Sequence, residues 1–151
     1  LMKGNDEWEG RVVAAYHRLS KAEIHRGEMS ELAIANIERR NRDFHGALRS
    51  ACDSPILMKM SDLFYDLSAR YRRLWLLIKP TSRNLSEEHR RIKEAALSRN
   101  IDLAAQLNEQ HIENTYNAVA AVFNRSSVAE ASSRLAGKPI PKGSATRRRR
   151  P

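Results

Sequence analysis

The chain has 151 residues, 41% of them hydrophobic, which is enough for one domain with a buried core. No glycine occurs between Gly46 and Gly137, and so long a stretch without turn residues argues against an all-β domain. The apolar runs are too short for a transmembrane helix. The single cysteine, Cys52, excludes a disulfide framework within the chain and fits the reducing cytoplasm, where we expect the protein to be.

The net charge of +9 is distributed unevenly along the chain. Residues 138–151 contain six Lys and Arg residues and no acid, so residues 1–137 carry only +3. A run of cations mixed with Gly, Pro and Ser is usually disordered and solvated. We therefore predict a helical domain over residues 1–136 and a disordered basic tail over residues 137–151, with no role for the tail in reading a DNA sequence.

The first two helices are predicted from capping residues that precede apolar stripes. Asn5-Asp6 caps a helix that runs to about Ala22, and Ser30 caps a helix over about 31–51. In both, apolar residues recur three and four positions apart. The stripe of the first helix contains Trp8, Val12, Ala15, Tyr16 and Leu19, and that of the second contains Ile34, Ile37, Asn41, Phe44, Leu48 and Ala51.

The third helix is predicted to begin at Ser54-Pro55, because Pro is favoured at the first helical position, and to end near Lys79, before Pro80. Its apolar stripe, which we expect to be buried, contains Met60, Leu63, Leu67, Arg70, Leu74 and Leu77.

Two further helices follow a polar loop. Ser86 caps a helix that ends near Ser98, and Asn100 or Asp102 caps one that reaches about Phe123, with a further turn or two over 125–136. Their predicted buried faces are His89, Ile92 and Ala96 in the fourth helix and Leu103, Leu107, His111, Thr115, Ala118 and Val122 in the fifth. The predicted fold class is all-α, an antiparallel bundle of five to six helices.

Three of the five histidines, His45, His89 and His111, fall on the apolar faces of three different helices. Asn41 lies one turn before His45 on the same face. Buried polar groups are costly unless they are paired, and side chains on facing helices of a bundle can bind a divalent cation. From the residues alone two interpretations stay open: a metal site, or a metal-free polar pocket whose histidines hydrogen-bond to water or a ligand.

Arg70 interrupts the apolar stripe of the third helix. Either its guanidinium reaches solvent, or it turns inward and pairs with the carboxylate of a ligand. Tyr71 and Trp75 are candidate walls of the same pocket, although aromatic residues at helical spacing are usually ordinary core. Arg72 and Arg73 are expected to be surface charges.

Familiar catalytic motifs are missing from the sequence. It contains no nucleophile elbow, zinc-protease helix, phosphate-binding loop or dinucleotide-binding turn. Cys52 has no base at helical spacing. We therefore predict that the protein is not an enzyme.

Several short motifs occur in a specific order along residues 5–123. They are Asn41-Arg42-Asp43-Phe44-His45, Ser54-Pro55, Arg70-Tyr71-Arg72-Arg73-Leu74, Glu88-His89-Arg90-Arg91-Ile92 and His111-Ile112-Glu113-Asn114-Thr115. In this order and spacing the chain resembles the FCD family, the effector-binding domain of the FadR branch of GntR-type bacterial transcription regulators. With its opening Asp6-Glu7-Trp8-Glu9, it is most similar to the carbon-starvation-induced regulator group.

The resemblance implies a set of metal ligands. In that family an Asp and a His one turn apart join two later histidines around a divalent metal, and the matching positions here are Asn41, His45, His89 and His111. The resemblance thus implies zinc or nickel, with affinity lowered because the amide of Asn41 brings no negative charge.

The resemblance also implies partners. It implies a small organic acid as effector, with Arg70, Tyr71 and Trp75 as the candidate effector-binding residues, and a homodimer that binds DNA. DNA would be bound through an N-terminal winged helix-turn-helix that this chain lacks, and the first helix of the family's effector domain is also expected to be missing. Effector binding would shift the dimer between DNA-competent and DNA-incompetent states. No membrane partner is expected.

Two alternative functions remain at this stage. One is a metal-dependent enzyme, in which three histidines and an open position activate water, with Asp66 and Glu94 as candidate bases by residue type alone. The other is a metal-free dimerisation or interaction module, in which the histidines are structural.

Overall fold

The fold is all-α, as predicted. The computed structural model describes residues 3–24, 30–77 and 83–136, without the side chains of residues 75, 77 and 125–136. These residues form five helices and no strand: α1 (Asp6–Ile24), α2 (Glu31–Arg49), α3 (Pro55–Leu77), α4 (Leu85–Leu97) and α5 (Ile101–Ala136). The extra turns expected after Phe123 continue α5 without a break, and the predicted tail lies outside the described residues. None of these helices is both long enough and apolar enough to cross a membrane.

Side-chain caps fix where the helices begin. The predicted caps of α1, α2, α3 and α5 each accept a hydrogen bond from the backbone amide three residues later; they are Asn5, Ser30, Ser54 and Asn100. Helix α4 differs from the prediction, because Asn84 Oδ1 rather than Ser86 accepts the amide of Glu87, at 3.1 Å. The hydroxyl of Ser86 instead donates to Glu23 of α1 at 2.8 Å.

The helices pack in the cyclic order α1–α2–α3–α5–α4, in which α4 also contacts α1. The main core lies between α1, α2, α4 and the start of α5; it consists of Trp8, Val12, Ala15, Leu19, Phe44, Leu48, Ile92, Ala95, Ala96 and Ala104. Trp8 anchors the antiparallel pair α1–α2 by donating its indole N–H to the carbonyl of Leu48 at 3.4 Å. Helices α3 and α5 meet where the rings of Tyr71 and Phe123 lie 5.8 Å apart.

The turn between α4 and α5 is unusually tight. Arg99 has φ of 60°, a left-handed conformation that usually requires Gly at this position after a helix. The amides of Arg99 and Asn100 donate to the carbonyls of Ala96 and Ala95 at 3.1 and 3.0 Å, which is the Schellman pattern. The turn reverses the chain within three residues and thereby brings the histidine of α4 next to that of α5.

The orientation of α3 overturns one prediction. The stripe expected to be buried is exposed: Met60, Leu63, Leu67 and Leu74 are 48, 56, 59 and 42% accessible. The polar face of α3 packs against α2 instead, where Arg72 pairs with Glu38 at 3.0 Å. The polar side chains of α3 form their ion pairs and hydrogen bonds with α2, and the apolar stripe of α3 therefore faces outward.

Candidate metal centre and effector cavity

The three predicted histidines converge at one point inside the bundle. His45 of α2, His89 of α4 and His111 of α5 each offer a ring nitrogen, and these nitrogens lie within 4.8 Å of one another. Ring centroids are separated by 4.7 Å for His89–His111, 5.2 Å for His45–His111 and 5.5 Å for His45–His89. His89 and His111 are buried. The apolar faces of three helices thus bring together side chains 66 positions apart in the sequence.

Two of the imidazoles are oriented by carboxylates. His89 Nδ1 lies 2.9 Å from Glu23 Oε1, and His111 Nδ1 lies 2.8 Å from Glu88 Oε2. A carboxylate accepts, so each Nδ1 donates in these pairs, and in the neutral form of such a ring the lone pair lies on Nε2. Histidine ligands of metal ions typically have this arrangement, which holds the ring and raises its basicity.

Two buried acceptor atoms at this site have no hydrogen-bond partner among the described residues: Nε2 of His89 and Oδ1 of Asn41. The amide nitrogen of Asn41 donates to the hydroxyl of Tyr65 at 2.6 Å, which leaves its oxygen as the unsatisfied atom. Leaving a buried acceptor unsatisfied costs about 1–3 kcal/mol. Nitrogen and oxygen lone pairs of this kind are what a divalent cation accepts, so the residues fit a metal ion.

The protonation states of two of the histidines also suit a metal ion. Burial lowers the pKa of His45 well below its ordinary value, and the neighbouring histidines lower it further. Burial likewise lowers the pKa of His111, although its hydrogen bond to Glu88 acts in the opposite direction. Both rings are therefore neutral near pH 7, the form that binds metal. Burial alone would raise the pKa of Glu88, but hydrogen bonds from Arg83 and His111 outweigh it and lower that pKa to about 2.

A cavity of about 980 Å³ adjoins the histidines. Asn41, His45 and His111 belong to its wall, which is formed by α2, α3, α4 and α5. Its other polar lining residues include Arg49, Ser61, Tyr65, Ser68 and Arg72, and the remainder of the wall is mainly apolar.

The predicted effector-binding residues are placed differently from one another. Tyr71 lines the cavity, whereas the side chain of Trp75 is outside the described part of the structure. Arg70 is exposed and does not line the cavity; its guanidinium lies 4.5 Å from the ring centroid of Tyr71. Arg70 belongs to the stripe of α3 that faces outward, so of the two alternatives for its side chain the structure has the one in which the guanidinium reaches solvent.

Arg72, which was expected on the surface, is the arginine of α3 that faces inward. Its side chain is 13% accessible, donates to both carboxylate oxygens of Glu38, and lies 3.9 Å from the ring centroid of Tyr65. The signal that could have found it is the polar spacing Ser61, Tyr65, Ser68 and Arg72, which marks one face of α3.

Sequence reasoning also missed the two carboxylates behind the histidines. Glu23 follows Leu19 by four residues and so continues the buried stripe of α1. An acid at such a position is a signal for a buried polar partner. Glu88 precedes His89 directly, and only the packing of α4 on α5 shows that it reaches His111.

The acids considered as catalytic bases lie elsewhere. Asp66 is exposed and forms an ion pair with Arg42, and Glu94 is exposed and pairs with Arg90. Neither lines the cavity. No observation on these two residues favours hydrolysis at the histidine cluster.

Comparison with known proteins gives a consistent assignment. The FCD domain model matches residues 2–114. The chain is 36% identical over 119 residues to the "Uncharacterized HTH-type transcriptional regulator BphR" of Paraburkholderia xenovorans (strain LB400), covering 79% of this chain and 49% of that protein. It is 34% identical over 116 residues to the "HTH-type transcriptional repressor GlaR" of Escherichia coli (strain K12), covering 74% and 52%. The chain thus spans about half the length of these relatives, and no solved structure matches it significantly.

Proposed function

Since the chain belongs to the FCD domain family, we propose that it is the effector-sensing domain of a transcription regulator and binds a small organic acid beside a divalent metal ion. Both relatives are named as HTH-type transcriptional regulators, and one of them as a repressor. These names and the family match support a regulatory, non-enzymatic role.

One observation carries the proposal. His89 presents a buried Nε2 without a partner while its Nδ1 is held by Glu23. A histidine that served only to fill the core would have both ring nitrogens satisfied or one of them in solvent. The same arrangement of Glu88 behind His111 supports a cation as the missing partner.

The proposed ligands are Asn41, His45, His89 and His111, with zinc or nickel as the ion, because imidazole nitrogens suit both metals. The amide of Asn41 brings no charge, but Glu23 supplies a negative charge through the histidine that it holds. The charge of Glu88, which holds His111, is paired with Arg83 at 2.6 Å. Bound there, the metal supplies a positive charge that attracts a carboxylate. Tyr65, whose hydroxyl accepts from Asn41, lies in the cavity wall beside this position.

We further propose that the regulator is a homodimer and that DNA is bound by a helix-turn-helix segment such as the relatives' names indicate. The outward apolar stripe of α3 is the candidate dimer surface, since exposed apolar patches of this kind are typical of interfaces. An effector that binds one of two dimer states more tightly shifts their populations and thereby the affinity for DNA.

Zinc titration of the metal-free chain tests the proposal. We expect one zinc ion per chain for the wild type and loss of that binding for His45→Ala. The matched control is His17→Ala, since His17 is exposed on α1 and away from the cluster. The proposal would be overturned if both variants bound zinc as tightly as the wild type. It would also be overturned if no carboxylic acid bound the zinc-loaded chain.

A further inference from the structure

The cavity beside the histidines is larger than a small organic acid requires. Its volume of about 980 Å³ corresponds to roughly thirty water molecules at about 30 Å³ each. It lies at the upper end of the range of about 300–1,000 Å³ for small-molecule sites. An acid of four or five carbons would leave most of this space to water in contact with apolar walls.

Those walls concentrate the aromatic residues of the chain. The sequence contains four Tyr and three Phe, and five of these seven line the cavity: Phe64, Tyr65, Tyr71, Tyr116 and Phe123. Along α5 the lining extends from Ile101 to Phe123, a length of about 33 Å at 1.5 Å per residue. The cavity is therefore elongated, and His111 lies near the middle of this length.

The cavity is open along the gap between α3 and α5, where apolar lining residues are exposed: Leu57, Phe64, Ile112, Tyr116 and Phe123 are 60, 61, 59, 71 and 45% accessible. The rings of Tyr71 and Phe123 are in contact at the end toward the C-termini of these helices. Leu57 and Ile101 line the cavity at the end toward the N-termini. The apolar mouth of the cavity thus lies between α3 and α5, beside the histidine cluster.

The two arginines in the wall are already engaged. Arg72 donates to Glu38, to Ser68 and to the carbonyl of Tyr65. Arg49 pairs with Asp62 at 3.1 Å and donates to the carbonyl of His45 at 3.1 Å. A second carboxylate on a ligand would have to displace one of these partners or lose its water without compensation.

We propose that the effector is an amphipathic monocarboxylate, whose carboxylate lies at the histidine cluster and whose alkyl or aryl body extends between α3 and α5 toward Leu57 and Ile101. The position of the carboxylate rests on the proposed function, and the apolar body is the additional inference. Each methylene buried in the cavity contributes about 0.8 kcal/mol, which corresponds to about a fourfold decrease in Kd.

Calorimetric titration of the zinc-loaded chain with butyrate, hexanoate, octanoate and decanoate tests the apolar body. We expect Kd to fall about fourfold per added methylene until the mouth is reached. Phenylbutyrate should bind at least as tightly as hexanoate, and hexanoate more tightly than adipate, which has the same number of carbons and a second carboxylate.

A matched pair of variants locates the body. Leu57 on α3 and Leu32 on α2 are both exposed, at 60 and 84%, but only Leu57 lines the cavity, and Leu32 lies outside the candidate dimer surface. We expect Leu57→Gln to weaken decanoate binding roughly fivefold to tenfold, by loss of apolar contact area, and to leave butyrate binding unchanged. Leu32→Gln should alter neither.

The outcomes separate this inference from the proposed function. If butyrate and adipate bind but affinity does not rise with chain length, the apolar body is refuted while the carboxylate site stands. If affinity rises with length but Leu57→Gln and Leu32→Gln behave alike, the proposed direction of the body is wrong. If no acid binds the zinc-loaded chain, both this inference and the proposed function fail.

Discussion

Replacement of Glu23 by Gln tests whether the carboxylates behind the histidines matter to the metal site. Glu23 is a buried residue of α1 whose side chain is 4% accessible, so solvent screens its charge only weakly. One oxygen accepts from Nδ1 of His89 and the other from the hydroxyl of Ser86. Gln has the same shape and can accept from His89 through its carbonyl while donating to Ser86. The variant therefore removes the negative charge and retains the hydrogen bonds.

The expected effect follows from that charge. Mutation of the hydrogen-bond partner of a metal-bound histidine typically weakens metal binding by about 10–100-fold, or about 1.4–2.8 kcal/mol. Competition with a chromophoric chelator measures the zinc Kd directly. Because the packing is unchanged, the Tm of the metal-free variant should stay close to that of the wild type, whereas the zinc-loaded variant should melt lower than the zinc-loaded wild type.

Glu7→Gln provides the control. Glu7 lies on the same helix and the substitution makes the same change of charge, but Glu7 is exposed, pairs with Arg11 at 2.7 Å and is about 24 Å from Glu23 along the helix. Its zinc affinity should equal that of the wild type. If Glu23→Gln binds zinc as tightly as Glu7→Gln, the carboxylate does not support the metal site and the reasoning from the His89–Glu23 contact is refuted.

Three other predictions concern metal removal, the core and the surface. Zinc at a hundredfold excess over its Kd should stabilise the chain by about 2.7 kcal/mol and raise Tm by roughly 5–10 °C. EDTA should reverse this shift and His89→Ala should abolish it. A shift of the same size in His89→Ala would contradict the prediction. Glu38→Ala removes the carboxylate that pairs with the guanidinium of Arg72 and should lower the free energy of unfolding by about 3 kcal/mol in urea titrations, whereas an unchanged midpoint would count against the pair. Leu63→Glu places a charge in the outward stripe of α3 and should reduce the apparent mass in sedimentation without loss of helicity; a mass equal to that of the wild type would exclude this stripe as the dimer surface.

The helices and the histidine cluster could be predicted because their signals are local. Ser30 and Asn100 cap their helices through contacts with residues three positions later. An apolar stripe indicates which side of α2, α4 or α5 faces the core. Because His45, His89 and His111 lie on such stripes, their convergence follows once the helices pack together. The identity of their carboxylate partners did not follow, since Glu23 and His89 are related only by the packing of α1 on α4.

The orientation of α3 could not be predicted from periodicity. A helix with one apolar and one polar face has two ways to be satisfied, and the pattern does not say which neighbour each face meets. Here Glu38 of α2 offers the carboxylate that Arg72 needs, while Leu63 and Leu67 are left exposed. Arg70 was a candidate for the cavity because it lies on the same stripe as these leucines. Since that stripe faces outward, Arg70 is exposed as they are.

This orientation of α3 suggests how effector binding would reach the dimer under the proposed function. The proposed metal ligands and their carboxylate partners come from α1, α2, α4 and α5. Of the five described helices, only α3 contributes neither a ligand nor a carboxylate partner. It contributes the cavity wall instead, and Tyr65 joins it to Asn41 through a hydrogen bond of 2.6 Å. The other side of α3 carries the outward apolar stripe. A ligand that packs between α3 and α5 therefore acts on the helix that is least tied to the metal and that carries the candidate dimer surface. A conformational change that begins at the effector has its shortest path to a partner subunit through this helix.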